Sequence, residues 1–188
     1  MRSRIVDASL DLFTRQDYLD TTVEQITEAA DVGKGTFFNY FASKERALDE
    51  LAVRQLARVE SAVETALKQG RPARDTMREI LHGISETPGK SRRLMRNLLV
   101  GTFSSEHSCE HLRSHLEAGM AAMVRLIERE RAAGTLLTEE GARAQAQRFF
   151  QIYTGVIVMW TIQPDVHLHD WLDHCFDHYW ASISTAPS

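Results

Sequence analysis

Phe37, Phe38, Tyr40 and Phe41 place four aromatic rings within five positions, with Gly33, Lys34 and Gly35 just ahead and Lys44 just behind. A core segment does not need the flanking charges, and a solvated segment does not need so many rings. A segment that needs both anchors itself through some rings and presents the others, with its cations, to a partner. A second chemistry is suggested by the histidines, since seven of the eight lie in two short stretches. His107, His111 and His115 are spaced i, i+4, i+8 with Cys109 near, and His167, His169, His174 and His178 surround Cys175. Helical i, i+4 imidazole pairs are a spacing that zinc or copper accepts. Yet His174 and His178 alternate with Asp173 and Asp177 opposite an apolar stripe, as a solvated face does. The expectation is therefore surface histidines and no metal. Catalytic patterns are missing: the sequence has no Gly-rich phosphate loop, no nucleophile elbow and no pair of Glu-x-x-His segments. Glu110-His111 and Glu117 are too scattered to replace them, so neither catalytic residues nor a cofactor are expected.

The elements that position these groups read as helices throughout. At 188 residues, with 43% hydrophobic and 26% charged, the chain has the size and composition of a soluble domain with a real core. Cys109 and Cys175 are too few for a disulfide framework. Arg2 to Phe13 already alternates charge with apolar residues, unlike a targeting leader. The run Ile152–Ile162 is broken by Thr154, Gly155 and Thr161 and is too short for a bilayer. The expectation is a reduced, cytoplasmic protein without a membrane partner. A net charge of −4 argues against a protein coated for nucleic acid, though not against a local patch.

Ile5, Ala8, Leu12 and Phe13 keep helical spacing, as do Val23, Ile26 and Ala30. A long amphipathic helix starts at Lys44 and stops at Gly70, with Pro72 beyond. Shorter helices follow around Met77–Ile84 and Leu94–Phe103, then a long one through Leu112–Ile127 that ends at Gly134. The last two are expected over Thr138–Ile162 and Asp170–Ile183. The fold class is all-α, with roughly nine helices.

Thr21-Thr22, with Glu24 and Gln25 three residues on, is a capping-box signature for a second helix that closes at Asp31-Val32-Gly33. A very short third helix begins near Lys34. Two short helices joined by a tight turn containing Gly form a helix-turn-helix, whose second helix enters the DNA major groove. The rings then divide by role. Phe37 and Phe41, at i and i+4, anchor the helix, while Phe38 and Tyr40 face nucleic acid.

The segments "RIVDASLDLF" and "TTVEQITEAADVGKGTFFNYFASKERAL", at this mutual spacing, resemble the tetracycline-repressor (TetR) family of bacterial transcriptional regulators. The resemblance covers about the first quarter of the chain. It implies an N-terminal three-helix DNA-binding head over residues 1–48, and a C-terminal helical bundle over 49–188 for effector binding and dimerisation. Its partners would be a palindromic double-stranded DNA operator, a small-molecule effector and a second copy of the chain. Carried over by position, Thr22 is the phosphate contact opening the second helix. Lys34, Gly35 and Thr36 lie at the leading edge of the recognition helix. Phe38 stands where the family usually has Tyr, and so lacks its hydroxyl. Asn39 is at a base-reading position and can pair with adenine. Tyr40 replaces a frequent His, and Lys44 is the last backbone clamp. One limit is electrostatic: six bases and eight acids up to Leu48 leave the head at −2, with Arg2 and Arg4 in place of a basic arm.

The last two helices are the most apolar. Trp171, Leu172, Cys175, Phe176, Tyr179 and Trp180 form a stripe broader than one small core uses, and Gly155 would allow close helix approach. The resemblance implies that these helices meet their symmetry mates in a four-helix bundle. For an effector cavity, Met95, Leu99, Phe103, Met123, Tyr153 and Trp160 offer soft and aromatic lining, which points to an apolar or aromatic ligand. The function expected is a DNA-binding repressor released by that ligand. A metal-sensing regulator using the histidines and a helical-bundle enzyme are the alternatives.

Overall fold

The computed structural model describes residues 1–136 and 140–184. Among these, the elements in chain order are α1 (Arg2–Arg15), α2 (Val23–Ala29), α3 (Lys34–Tyr40), α4 (Lys44–Gln69), α5 (Ala73–Ser85), α6 (Arg92–Phe103), α7 (Glu106–Ala132), α8 (Ala142–Trp160) and α9 (Leu168–Ile183), with a single 3-10 turn at Pro88–Lys90. No strand occurs among the described residues, only an isolated antiparallel bridge between Leu136 and Ser184. The fold is all-α, with a helix-turn-helix head at its N-terminus. No helix among the described residues is long and apolar enough to cross a membrane.

Helix ends fall where local chemistry puts them. Gly70 adopts φ +65° and lets Arg71 N–H return to the Ala66 carbonyl at 3.0 Å, a Schellman closure of α4. Gly134 at φ +72° does the same for α7, with Thr135 N–H donating to Glu130 at 3.1 Å. The Ser91 hydroxyl caps α6 by accepting from Leu94 N–H at 3.0 Å. Two boundaries differ from the sequence pattern. α7 begins at Glu106, six residues before the first periodic leucine, so His107 and Cys109 are helical. α8 begins at Ala142, and the expected start at Thr138 lies outside the described residues.

The chain forms two compact units, one comprising Met1–Gln55 with Thr87–His115 and the other Leu56–Glu86 with Leu116–Ser188. In the first, α1 buries Ile5, Val6, Ser9, Leu10 and Phe13, and Tyr18 packs on Phe13 at 5.5 Å. α6 is part of this unit, and Gly101 is the reason it fits. A Cβ there would fall onto the Leu48 side chain and within 3.0 Å of the Tyr18 ring.

In the second unit, Phe149 of α8 packs edge-on to Phe176 of α9 at 6.3 Å, and Tyr179 joins them. Burial raises the Tyr179 phenol above its ordinary pKa, and its hydroxyl donates to the Gln145 carbonyl at 3.2 Å. Asp173 and Asp177 are not on a free solvated face. They meet Arg74, Arg78 and His82 of α5, with Arg74 at 3.0 Å from Asp177 and His82 Nε2 at 3.0 Å from Asp173. His174 and His178 do remain exposed. Gly155 allows no close approach within the chain, since a Cβ there meets nothing within 4 Å. Gly119 is the tight one, at 3.2 Å from the Phe150 ring.

Candidate nucleic-acid interface

Thr22 is the cap of α2. Its hydroxyl accepts from Gln25 N–H at 3.2 Å while the Gln25 carboxamide oxygen accepts from Thr22 N–H at 2.8 Å. This capping box satisfies two donors that the helix start leaves orphaned. Gln16 ties the box to the end of α1, donating to Gln25 Oε1 and to Thr21 Oγ1 at 3.0 Å each.

The turn between α2 and α3 is a Schellman motif built on an aspartate. Asp31 holds φ 49°, Asp31 N–H donates to Glu28 at 3.0 Å, and Val32 N–H donates to Thr27 at 2.9 Å. Glycine is the usual residue there, and aspartate is among the few others that tolerate the left-handed region. Arg4 secures it from α1, donating to the Ala30 carbonyl at 2.6 Å and to the Asp31 carbonyl at 3.2 Å. Arg2 is likewise engaged, pairing with Glu50 at 2.7 Å and lying over the Phe41 ring. The two arginines expected to substitute for a basic arm thus fasten the head together.

α3 is seven residues long and anchored by Phe37, fully buried, with Phe41 just after it at 5.8 Å between ring centroids. Burying each ring stabilises the head by roughly 1.5–3 kcal/mol. The turn geometry and these anchors leave Lys34, Gly35, Asn39, Phe38 and Tyr40 exposed, with Thr36 partly so. Phe38 is 55% and Tyr40 45% accessible, an unusual exposure for rings that share a helix with a buried one. Phe37 and Phe41 are thus the inward rings of this segment and Phe38 and Tyr40 the outward ones. Thr22 is exposed on the same two-helix element.

Lys44 sits differently from a free clamp. Its ammonium donates to the Tyr18 carbonyl at 2.7 Å and the Thr21 carbonyl at 2.9 Å, over the Tyr18 ring at 4.3 Å. Two of its three protons therefore hold the loop that leads into α2. Beside it, the Tyr18 hydroxyl donates to the Glu45 carboxylate. Burial pushes the Tyr18 phenol up, and the Glu45 bond adds to this. Burial also pushes Glu45 up, but hydrogen bonds with Ser43 and Tyr18 outweigh it and hold that carboxyl below its ordinary range.

The expected effector residues are divided between the two compact units. Met95 and Leu99 belong to the first unit, as does Phe103, which is 67% exposed. α6 turns Leu94, Leu98 and Gly101 inward and places Phe103 on its opposite face. In the second unit Met123 is fully buried, Trp160 donates its indole N–H to Val166 at 3.2 Å, and Tyr153 donates to Ile84 at 3.2 Å. Met123 and Trp160 are packed core, and Tyr153 is half-buried. A groove of about 400 Å³ lies elsewhere in that unit, between α7 and α8, floored by Leu116, Met120 and Phe150. Its rim carries Gln147, Gln151 and the Glu117–Arg143 ion pair at 2.7 Å. Sequence reading missed it because an alternation of Gln and Arg with apolar residues looks like an ordinary solvated face.

His111 and His115 rings stand 4.6 Å apart and His174 and His178 4.5 Å apart. Yet among the described residues no group of three or more His, Cys, Asp or Glu is arranged to hold an ion.

A capped helix, a tight turn and a short helix with exposed rings, followed by a helical bundle, define a helix-turn-helix protein of the regulator class. Residues 5–51 match the family model for bacterial regulatory proteins of the tetR family, and the chain belongs to that family. It is 32% identical over 128 residues, 68% of its length and 48% of the relative's, to the HTH-type transcriptional regulator TcmR of Streptomyces glaucescens. The chain thus spans about half the length of the curated relatives it matches. Among solved structures it is similar in fold to Thermus thermophilus FadR, a TetR-family repressor in complex with lauroyl-CoA. That match has TM-score 0.68 and 23% identity and covers 100% of both chains. It is also similar to SmeT, the repressor of the Stenotrophomonas maltophilia multidrug efflux pump SmeDEF. There the TM-score is 0.77 at 19% identity, with 98% of this chain and 91% of the other covered.

Proposed function

We propose that this chain is a DNA-binding transcriptional repressor that acts as a homodimer on a palindromic operator and is released by a small apolar effector. The observation that carries the reading is the α3 surface. Lys34, Asn39, Phe38 and Tyr40 are exposed on a helix whose entry is fixed by the Asp31 turn and whose seat is fixed by Phe37. Phosphate contacts set register and base contacts set sequence. Thr22, Lys34, Gly35, Tyr40 and Lys44 are assigned to the backbone, and Thr36 and Asn39 to the bases. Residues 1–48 carry this role, and 49–188 carry dimerisation and effector binding.

The regulators TcmR and SmeT support the class, and the lauroyl-CoA complex of Thermus thermophilus FadR supports the effector character. The α7–α8 groove has the volume of a small-molecule site and an apolar floor, with Gln147, Gln151 and the Glu117–Arg143 pair as a polar rim. A long-chain acyl compound suits that combination. The test is selection of bound sequences from random duplex DNA, followed by a thermal-shift screen of acyl-CoA thioesters and neutral aromatics. A recovered inverted repeat supports the reading, and recovery of no sequence above background refutes it.

A further inference from the structure

All six basic side chains of the first 48 residues have partners within their own unit. Arg2 pairs with Glu50, Arg4 with Asp31, Arg15 with Asp11, Arg46 with Asp49 and Lys34 with Glu24, while Lys44 holds two carbonyls. Lys34 differs from the rest in its place, because it is the cation at the leading edge of α3. Its partner Glu24 lies in the first turn of α2, so the ion pair bridges the two helices across the turn, and both side chains are more than half exposed. The hydrogen bond from Lys34 is the main reason the Glu24 carboxyl lies below its ordinary pKa, so the acid is charged wherever DNA binding would be measured.

Resting on the DNA-binding reading above, we propose that Glu24 is an intramolecular competitor for DNA phosphate, and that the head binds duplex by exchanging Lys34 from the Glu24 carboxylate to the nucleic acid. A cation already neutralised in the free protein contributes little net counterion release. When Lys34 moves to a phosphate it displaces a condensed cation from DNA, but the Glu24 left behind recruits one from solution. The exchange therefore leaves the salt dependence one contact shallower than the number of lysines and arginines at the interface would give. It also weakens binding to every duplex alike, which limits the hold of non-specific DNA on a head that carries no other cation on α3. The other carboxylate of α2, Glu28, is exposed one turn further on and serves as the control.

The experiment measures binding of full-length wild type, Glu24→Gln and Glu28→Gln to an operator duplex recovered by selection and to a random-sequence duplex, each at several salt concentrations. Glu24→Gln is expected to raise affinity for both duplexes by about fivefold, the upper end for one exposed ion pair. It should also steepen the slope of log affinity against log salt by about 0.9. Glu28→Gln should leave the slope unchanged, and Lys34→Gln should lose more affinity in the Glu24→Gln background than in wild type. Equal slopes for wild type and Glu24→Gln would overturn the proposal by making the pair a surface ornament. A loss of operator affinity with unchanged random-duplex binding would overturn it differently, by making Glu24 a base reader that accepts from cytosine. If wild type bound no duplex at all, the functional reading itself would fall and this inference with it.

Discussion

Asn97 of α6 accepts a hydrogen bond from the backbone N–H of Tyr18 at 3.0 Å, and its own amide donates to the carbonyls of Phe13 and Gln16 at 2.8 Å each. One buried side chain thereby satisfies three backbone groups of the loop that leaves α1. Arg93 adds a bond to the Arg15 carbonyl from the same helix. Asn97→Ala would leave those groups buried and unpaired, at about 1–3 kcal/mol for each that water cannot reach. The expected loss is roughly 3 kcal/mol of stability, read by urea denaturation. Asn97→Ala behaving like an ordinary surface substitution would show that α6 is not integral to this unit.

The Tyr18–Glu45 bond makes the head sensitive to pH at both ends. Tyr18 is raised, by burial first and by Glu45 second, so its contribution is full below the unfolded value near ~10 and is lost as pH rises beyond it. Glu45 is lowered, so its contribution is full above the unfolded value near ~4.3 and is lost as pH falls through the lower folded one. Tyr18→Phe should cost roughly 1.5 kcal/mol at neutral pH, the lower end for a bond to a charged group. It should also flatten the alkaline fall in melting temperature. Parallel alkaline limbs for both proteins would show that another group governs that fall.

These two networks mark where the sequence stopped being legible. The capping box of α2, the Gly70 and Gly134 stops and the inward rings of α3 depend on neighbours within four or five residues, so local spacing showed them. Asn97 looked like one polar residue in an apolar helix, because its partners lie 79 to 84 positions earlier. Gly101 gave no signal for the same reason. Lys44 was legible as a cation near the head, but not as a donor to the Tyr18 and Thr21 carbonyls. The α7–α8 groove was least legible, since a buried methionine and a groove-lining one share the same helical period. Met123 and Met120 of α7 show the difference: the first is sealed in the core, and the second floors the groove.

Asn39 and Lys44 should separate by the kind of loss they cause. Asn39→Ala should relax preference at one base in each half-site and cost about 1–3 kcal/mol of operator affinity. Lys44→Ala should weaken all sequences alike and, because its ammonium ties two carbonyls, also lower the stability of the head. Binding to a panel of single-base operator variants decides the matter. Unaltered base preference in Asn39→Ala would remove it from the readers.

Dimerisation should run through α8 and α9. Leu172, Phe176 and Tyr179 are used up inside the unit, but Trp171, Cys175 and Trp180 of α9 stay partly exposed, as do Met159 and Ile162 at the end of α8 and just beyond it. Sedimentation at micromolar concentration should give twice the chain mass. Trp180→Glu should shift it toward one chain, since a carboxylate in an apolar interface finds no partner. A wild type that remains monomeric at high concentration would refute this.

Effector control requires a ligand that binds one arrangement of the heads better than another, since equal affinity for both shifts nothing. α4 and α7 each contribute residues to both compact units, α4 passing from one to the other after Gln55 and α7 after His115. A helix that continues from one unit into the next is a physical route for coupling, and the α7–α8 groove begins at Leu116, the first residue beyond that point. Lys44 and Glu45, which hold Tyr18, stand at the first turn of the other shared helix. A compound wedged against Leu116 and Met120 therefore acts on α7 next to the residues it shares with the head unit. A coupling of roughly 1–3 kcal/mol would release operator at ordinary ligand levels. The compound that raises thermal stability should weaken operator binding, and operator should weaken the compound by the same factor. Met120→Trp, by filling the groove, should abolish both effects while leaving operator affinity near that of wild type. Titrating the compound with and without saturating operator decides it. Identical compound affinities would mean that the groove binds ligand without signalling to the head.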